Sequence, residues 1–134
     1  VDKMTQAKGK KYLTNAQEII AAEDFRFAEV DVPEWGGTVR IRSLSAKQRD
    51  TLARKIKSDG EAEASEMMVV MCVVDENGQR VFEFKDIERL KAKSTIPIAR
   101  IVRALGELTT AYEKSAEKFE ENFDATPGDD SLID

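Results

Sequence analysis

The chain has 134 residues, of which 41% are hydrophobic and 35% charged, with a net charge of −5 and a pI near 5.0. That length suits one domain with a modest core, and the acidity argues against nucleic acid as the main partner, because phosphate binding needs a basic surface. With no histidine and a single cysteine, Cys72, the chain lacks the commonest general base, the usual zinc ligand sets and any internal disulfide.

Residues 1–12 read as a flexible N-terminal arm, polar and with a basic run at Lys8, Lys10 and Lys11. A short helix is expected from Thr14 to Ile20. Thr14 with Gln17, or Asn15 with Glu18, would cap its start, and Leu13, Ile19 and Ile20 supply an apolar side. Two alternating runs follow. Val30 and Val32 alternate with Glu29 and Asp31, and Val39 and Ile41 alternate with Thr38, Arg40 and Arg42. Period-two alternation puts aliphatics on one face and charges on the other. Gly36-Gly37 between the runs predicts a tight turn, and Pro33 suits a strand end. The stretch is a β-hairpin with one face to bury, and helices elsewhere must cover it.

Ser45 with Gln48 is a capping-box pattern that starts a second helix, with Leu52, Ala53 and Ile56 as a narrow apolar stripe and Gly60 as its stop. The run from Met67 to Val74 is the most apolar of the chain. Its periodicity suits a buried helix or a buried strand. The preceding Ala and Glu residues favour helix to about Val73, whereas the valines and the Asn77-Gly78 turn favour a strand. Central core is the first role for this run, and a methionine-rich surface for a helical partner is the second. Cys72 reads as a small buried hydrophobe. A short helix at Lys85 to Leu90, capped at Asp86, comes next. Ser94 or Thr95 then caps a helix with Pro97 in its first turn. Ile98, Ile101, Val102, Leu105 and Leu108 follow helical spacing, with Arg100, Arg103 and Glu107 opposite. This amphipathic helix is the best candidate to cover the hairpin. Tyr112, Phe119 and Phe123 form a sparse stripe on a last helical segment.

The fold expected is α+β: a small β-hairpin or sheet packed against several α-helices, mainly helical, with disordered termini. The organisation expected is a single domain over 13–109, a C-terminal helix over 110–123 and a disordered acidic tail over 124–134. No phosphate-binding loop, dinucleotide fingerprint or nucleophile elbow is present. The carboxylates lie at helix-surface spacing beside Lys and Arg. No enzyme activity, cofactor or metal is expected. No apolar run spans a bilayer and no signal-peptide pattern appears, so the expected compartment is the cytoplasm and no membrane partner is expected.

The order of these elements resembles the tail assembly chaperones of long-tailed bacteriophages and their prophage relatives. The most specific part is Pro33-Glu34-Trp35-Gly36-Gly37. The rest is the Leu44-Ser45 helix start, Val74 to Gly78, Val81-Phe82, Asp86 to Leu90 and the amphipathic helix to Leu108. The resemblance implies a non-enzymatic role in the bacterial host: holding the long helical tape measure protein soluble before the tail tube polymerises around it. It further implies a longer, frameshifted form that recruits the tail tube protein. A homo-oligomer is a further expectation. The alternative is a permanent structural part of a phage tail or head–tail junction. The residues proposed to meet a partner are the apolar ones least needed in a minimal core: Trp35, Met67, Met68, Met71, Phe82, Tyr112, Phe119 and Phe123.

Overall fold

The structure, a computed structural model, describes residues 9–123, with side chains through residue 110. The order of elements is α1 (Ala16–Ala21), β1 (Phe27–Val32), a 3-10 turn (Pro33–Trp35), β2 (Gly37–Arg42), α2 (Ala46–Asp59), α3 (Ala64–Cys72), β3 (Val73–Val74), a second 3-10 turn (Phe84–Asp86), α4 (Ile87–Lys91) and α5 (Thr95–Phe123). The expected α+β, mainly helical fold is what forms.

The hairpin forms as the alternation requires. β1 and β2 pair antiparallel with Val30 opposite Val39 and Ala28 opposite Ile41. Val30, Val32 and Ile41 are buried and Val39 is half-buried, while Glu29 and Asp31 face water. The turn is longer than the tight bend expected at Gly36-Gly37. Val32 pairs with Gly37, so four residues connect the strands, and only Gly36 takes a left-handed φ, +83°. Pro33, with its fixed φ, starts a 3-10 turn here, closed by the Gly36 N–H donating to the Pro33 carbonyl at 3.0 Å.

The apolar run resolves into both structures weighed for it. α3 carries Met67 to Cys72, and Val73-Val74 then pairs antiparallel with Ile41 and Arg40 of β2 to complete a sheet of order β1-β2-β3. The chain turns back at Asp75 to Gly78, where the Asp75 carboxylate accepts the Asn77 and Gln79 N–H groups at 2.8 and 3.0 Å.

α5 lies on the hairpin and against α3. Ile98, Ile101 and Leu105 join Val30, Val32, Ile41, Val69 and Val70 in one core. The helix that sequence periodicity marks out therefore covers the hairpin face. It begins at Thr95, where the Ser94 hydroxyl accepts the Ile96 N–H at 3.2 Å, and runs unbroken to Phe123. Arg100 does not simply face water, as its place opposite the apolar stripe suggested. It pairs with Glu34 in the hairpin turn.

The caps explain where the helices start. The Asn15 side chain accepts the Gln17 and Glu18 N–H groups at 2.8 and 3.4 Å, so Asn15, not Thr14, caps α1. At α2 the box is complete: the Gln48 N–H donates to the Ser45 hydroxyl at 3.1 Å, and the Gln48 side-chain oxygen accepts the Ser45 N–H at 2.9 Å. Asp86 does not cap α4. Its carboxylate instead accepts the Glu83 N–H at 2.9 Å, closing the 3-10 turn before the helix. α1 buries none of its residues, and Leu13, Ile19 and Ile20 meet solvent. Residues 1–8 of the flexible arm expected at 1–12, the side chains of Tyr112, Phe119 and Phe123, and the acidic tail expected at 124–134 lie outside the described residues.

Candidate functional site

Among the described residues no group of Cys, Asp and Glu is arranged to hold a metal ion, and no helix is long and apolar enough to cross a membrane. Cys72 is fully buried in the core, and burial pushes its thiol pKa up to about 12. A thiol held that high is not a nucleophile near neutral pH. Apolar grooves are present on the described surface.

One is an open groove of about 860 Å³. One wall is the lead into β1 from Asp24 to Arg26, together with the connection from Ser43 to Ala46. The other is α5 from Val102 to Thr110, with Met68 of α3 between them. Its apolar surface comes from Phe25, Leu44, Met68, Val102, Leu105 and Leu108. All but Leu105 are half-buried, so each keeps apolar area on offer. The ring of Phe25 is held in place from behind: the Arg42 guanidinium lies 3.9 Å from its centroid, within cation–π range. Arg42 in turn donates to the Gln48 side-chain oxygen at 3.2 Å, while its Nε is buried without a hydrogen-bond partner. Gln48 also donates to the Met71 carbonyl at 3.2 Å. One wall of the groove is thus tied to α2 and α3 by a polar network.

Gly106 lies in the α5 wall. A Cβ built on it would meet nothing within 4 Å, so no internal packing demands a glycine there.

The residues expected to meet a partner separate into distinct places. Met68 lines the groove. Trp35 and Phe82 come together, half-buried, over a second cleft of about 570 Å³ that includes Arg89 and Lys93. Met67 and Met71 are core residues, 6% and 1% exposed. Both follow the first role expected for this run, central core, and little of either is open to a partner while α3 stays packed. The reason is helical geometry: Met67 and Met71, four apart, share the inward face, and Met68 stands about 100° round from Met67. Sequence reasoning missed Phe25, Leu44 and the outer edge of α5 as a surface. Phe25 is an aromatic just outside the alternating strand pattern, and that position was the available signal.

The comparisons with known proteins bear on what such a surface serves. The family model described as phage tail assembly chaperone matches residues 15–120. The chain belongs to that family. Among solved structures, the tail assembly chaperone of bacteriophage HK97 has a similar fold, with a TM-score of 0.56 and 22% sequence identity over 69% of this chain and 91% of that one. No curated protein matches the chain. In this tail assembly chaperone the family match spans the hairpin, α3 and the groove-lining part of α5.

Proposed function

We propose that this tail assembly chaperone binds the tape measure protein while the tail is being built in the host cytoplasm, and that it works by apolar contact, without catalysis. The carrying observation is the groove beside α5 on a member of this family. Among the described residues it runs along α5 from Val102 to Thr110, about 12 Å at 1.5 Å rise per residue, room for two turns of a partner helix. Helix-in-groove recognition uses such an apolar trough, with anchors from one face of the helix. Half-buried Met68, unbranched and adaptable, suits a surface that must accept successive stretches of a long helical partner.

The test is copurification. The protein should be recovered with unassembled tape measure protein and be absent from finished particles. A stoichiometric presence in purified virions would favour a permanent structural part of the tail instead. Met68→Ser should weaken capture of tape measure fragments while leaving the circular dichroism spectrum and melting temperature near those of the parent.

A further inference from the structure

Among the described residues, α1 is an amphipathic helix whose apolar face meets no core. Ala16, Ile19 and Ile20 recur at the i, i+3, i+4 spacing of one helical face. Yet α1 buries none of its residues, and Ile19 and Ile20 are 49% and 81% exposed. Isolated helices shorter than ~12–15 residues are marginal in water, and packing of the apolar face supplies most of a helix's stability. α1 has six residues. Its Asn15 cap and the exposed Lys11–Glu18 ion pair at 3.2 Å lie within the segment and tie it to no other element. A helix of this kind needs a surface to lie on.

The chain leads from α1 directly into the groove beside α5. Asp24 and Phe25 are wall residues of that groove, and Ala22 and Glu23 alone separate them from the end of α1. Ala22 is extended, and among the described residues no side-chain hydrogen bond or ion pair holds Glu23 or Asp24. From Arg26 onward the backbone is fixed: the Arg26 N–H donates to the Ser43 hydroxyl at 3.0 Å, and the Ser43 N–H donates to the Arg26 carbonyl at 2.9 Å. The hinge is therefore residues 22–24. Ile20 stands four residues from Asp24, a reach of up to about 13 Å, more than the about 8–10 Å between the axes of packed helices. The tether stays slack when α1 turns over the groove. Charge matches as well. Arg49 lines the groove and is 72% exposed, and its bond to Asp50 at 3.1 Å is an exposed pair that exchanges readily for another carboxylate. Glu18 and Glu23 flank the apolar face of α1.

We propose that α1 is a hinged strap that closes over the groove of its own chain, turning at residues 22–24, with Ile19 and Ile20 against Leu44, Met68 and Leu108 and an α1 carboxylate beside Arg49. The closed strap covers two apolar faces at once, its own and the groove's, and gives way to a partner that binds more tightly. That last consequence rests on the groove being the seat of the tape measure protein; the closure itself does not.

Methyl NOEs on the full chain test the closure without any partner. The Ile19 and Ile20 methyls should show contacts to the methyls of Leu44 and Leu108. The α1 amides should exchange several-fold more slowly in the parent than in Met68→Ser, a change on the groove that leaves α1 itself intact. Ile20→Asp, at an exposed position, should abolish the contacts while the melting temperature stays near that of the parent. Absence of these NOEs in the parent overturns the proposal, as does equal α1 exchange in the parent and Met68→Ser. NOEs found only between differently labelled chains in a mixed sample also overturn it, and make a second copy's α1 the occupant. Competition is measured separately, by titrating a tape measure fragment. Ile20→Asp should bind it several-fold more tightly than the parent, and equal affinities refute competition. A fragment that binds neither form refutes the tape measure reading, while the NOEs still decide the closure.

Discussion

Arg100 grips Glu34 with both terminal nitrogens, Nη1 to Oε1 at 2.6 Å and Nη2 to Oε2 at 2.8 Å. Nη1 also donates to the Asp31 carbonyl at 3.4 Å. The bidentate pair joins the second turn of α5 to the hairpin turn, across 66 positions of sequence. Two parallel N–H···O bonds set orientation as well as distance, so this contact helps to fix how α5 lies on the sheet.

The pair makes stability depend on pH at the acid end. The hydrogen bonds from Arg100, with a smaller contribution from the backbone at Glu34, lower the Glu34 pKa from 4.5 to about 2. A carboxyl whose folded pKa is depressed adds stability that is present above its unfolded pKa. That stability is lost as pH falls through the folded one. The melting temperature should therefore drop between about pH 4.5 and pH 2, and Glu34→Gln should flatten part of that drop while lowering the value at pH 7. Parallel curves for the two proteins would show that other carboxylates set the acid sensitivity.

Ile41 is fully buried where β2 meets both β1 and β3. Ile41→Ala removes core contacts and leaves a cavity, with an expected cost of about 2–5 kcal/mol. Val81, 53% exposed, is the control, and Val81→Ala should stay within about 0.5 kcal/mol of the parent. Urea titration of both variants decides this, and a mild Ile41→Ala would mean that the sheet repacks.

Gly106→Ala should raise stability by about 1 kcal/mol, because glycine inside a helix costs about that much relative to alanine and the new Cβ meets nothing within 4 Å. The same methyl narrows the groove. If the partner backbone approaches α5 closely, affinity for a tape measure fragment should fall as the melting temperature rises. A stabilised variant with unchanged affinity would place the partner elsewhere.

Met68 and Met71 should respond oppositely. Met68→Ser alters a groove wall, so binding should weaken with little change in stability. Met71→Ser puts a hydroxyl in the core and should cost about 2–5 kcal/mol. Binding to the groove should also survive ~1 M salt, where screening confines charge interactions to about 3 Å. Binding lost in salt, with Met68→Ser behaving as the parent, would point to the charged faces.

Gln48 makes side-chain bonds to Ser45, Arg42 and the Met71 carbonyl. Gln48→Ala should cost about 1–2 kcal/mol, the loss of one box partner and of a bond to a buried carbonyl. Its amide exchange should rise first at the start of α2. Protection that falls uniformly over the chain would mean that the network holds the whole fold rather than this corner.

The hairpin, the Ser45–Gln48 box and the start of α5 at Ser94 were legible from sequence because each depends on residues within a few positions of one another. Alternation assigns a strand face, and a side chain three residues from a cap can reach back to it. The apolar face of α5 was legible for the same reason, and so was its role as a cover, since a hairpin with one apolar face needs one. What lies on the surface was decided by the tertiary structure. Met67, Met68 and Met71 look alike in a run of apolar residues, and only the packing of other elements around α3 makes two of them core and one a groove wall. Ile19 and Ile20 look like core residues, yet among the described residues α1 buries none of its own. Arg100 looks like a solvated charge until the hairpin turn brings Glu34 beneath it. Burial and pairing are set by contacts between residues distant in sequence, and local periodicity carries no information about which distant face arrives.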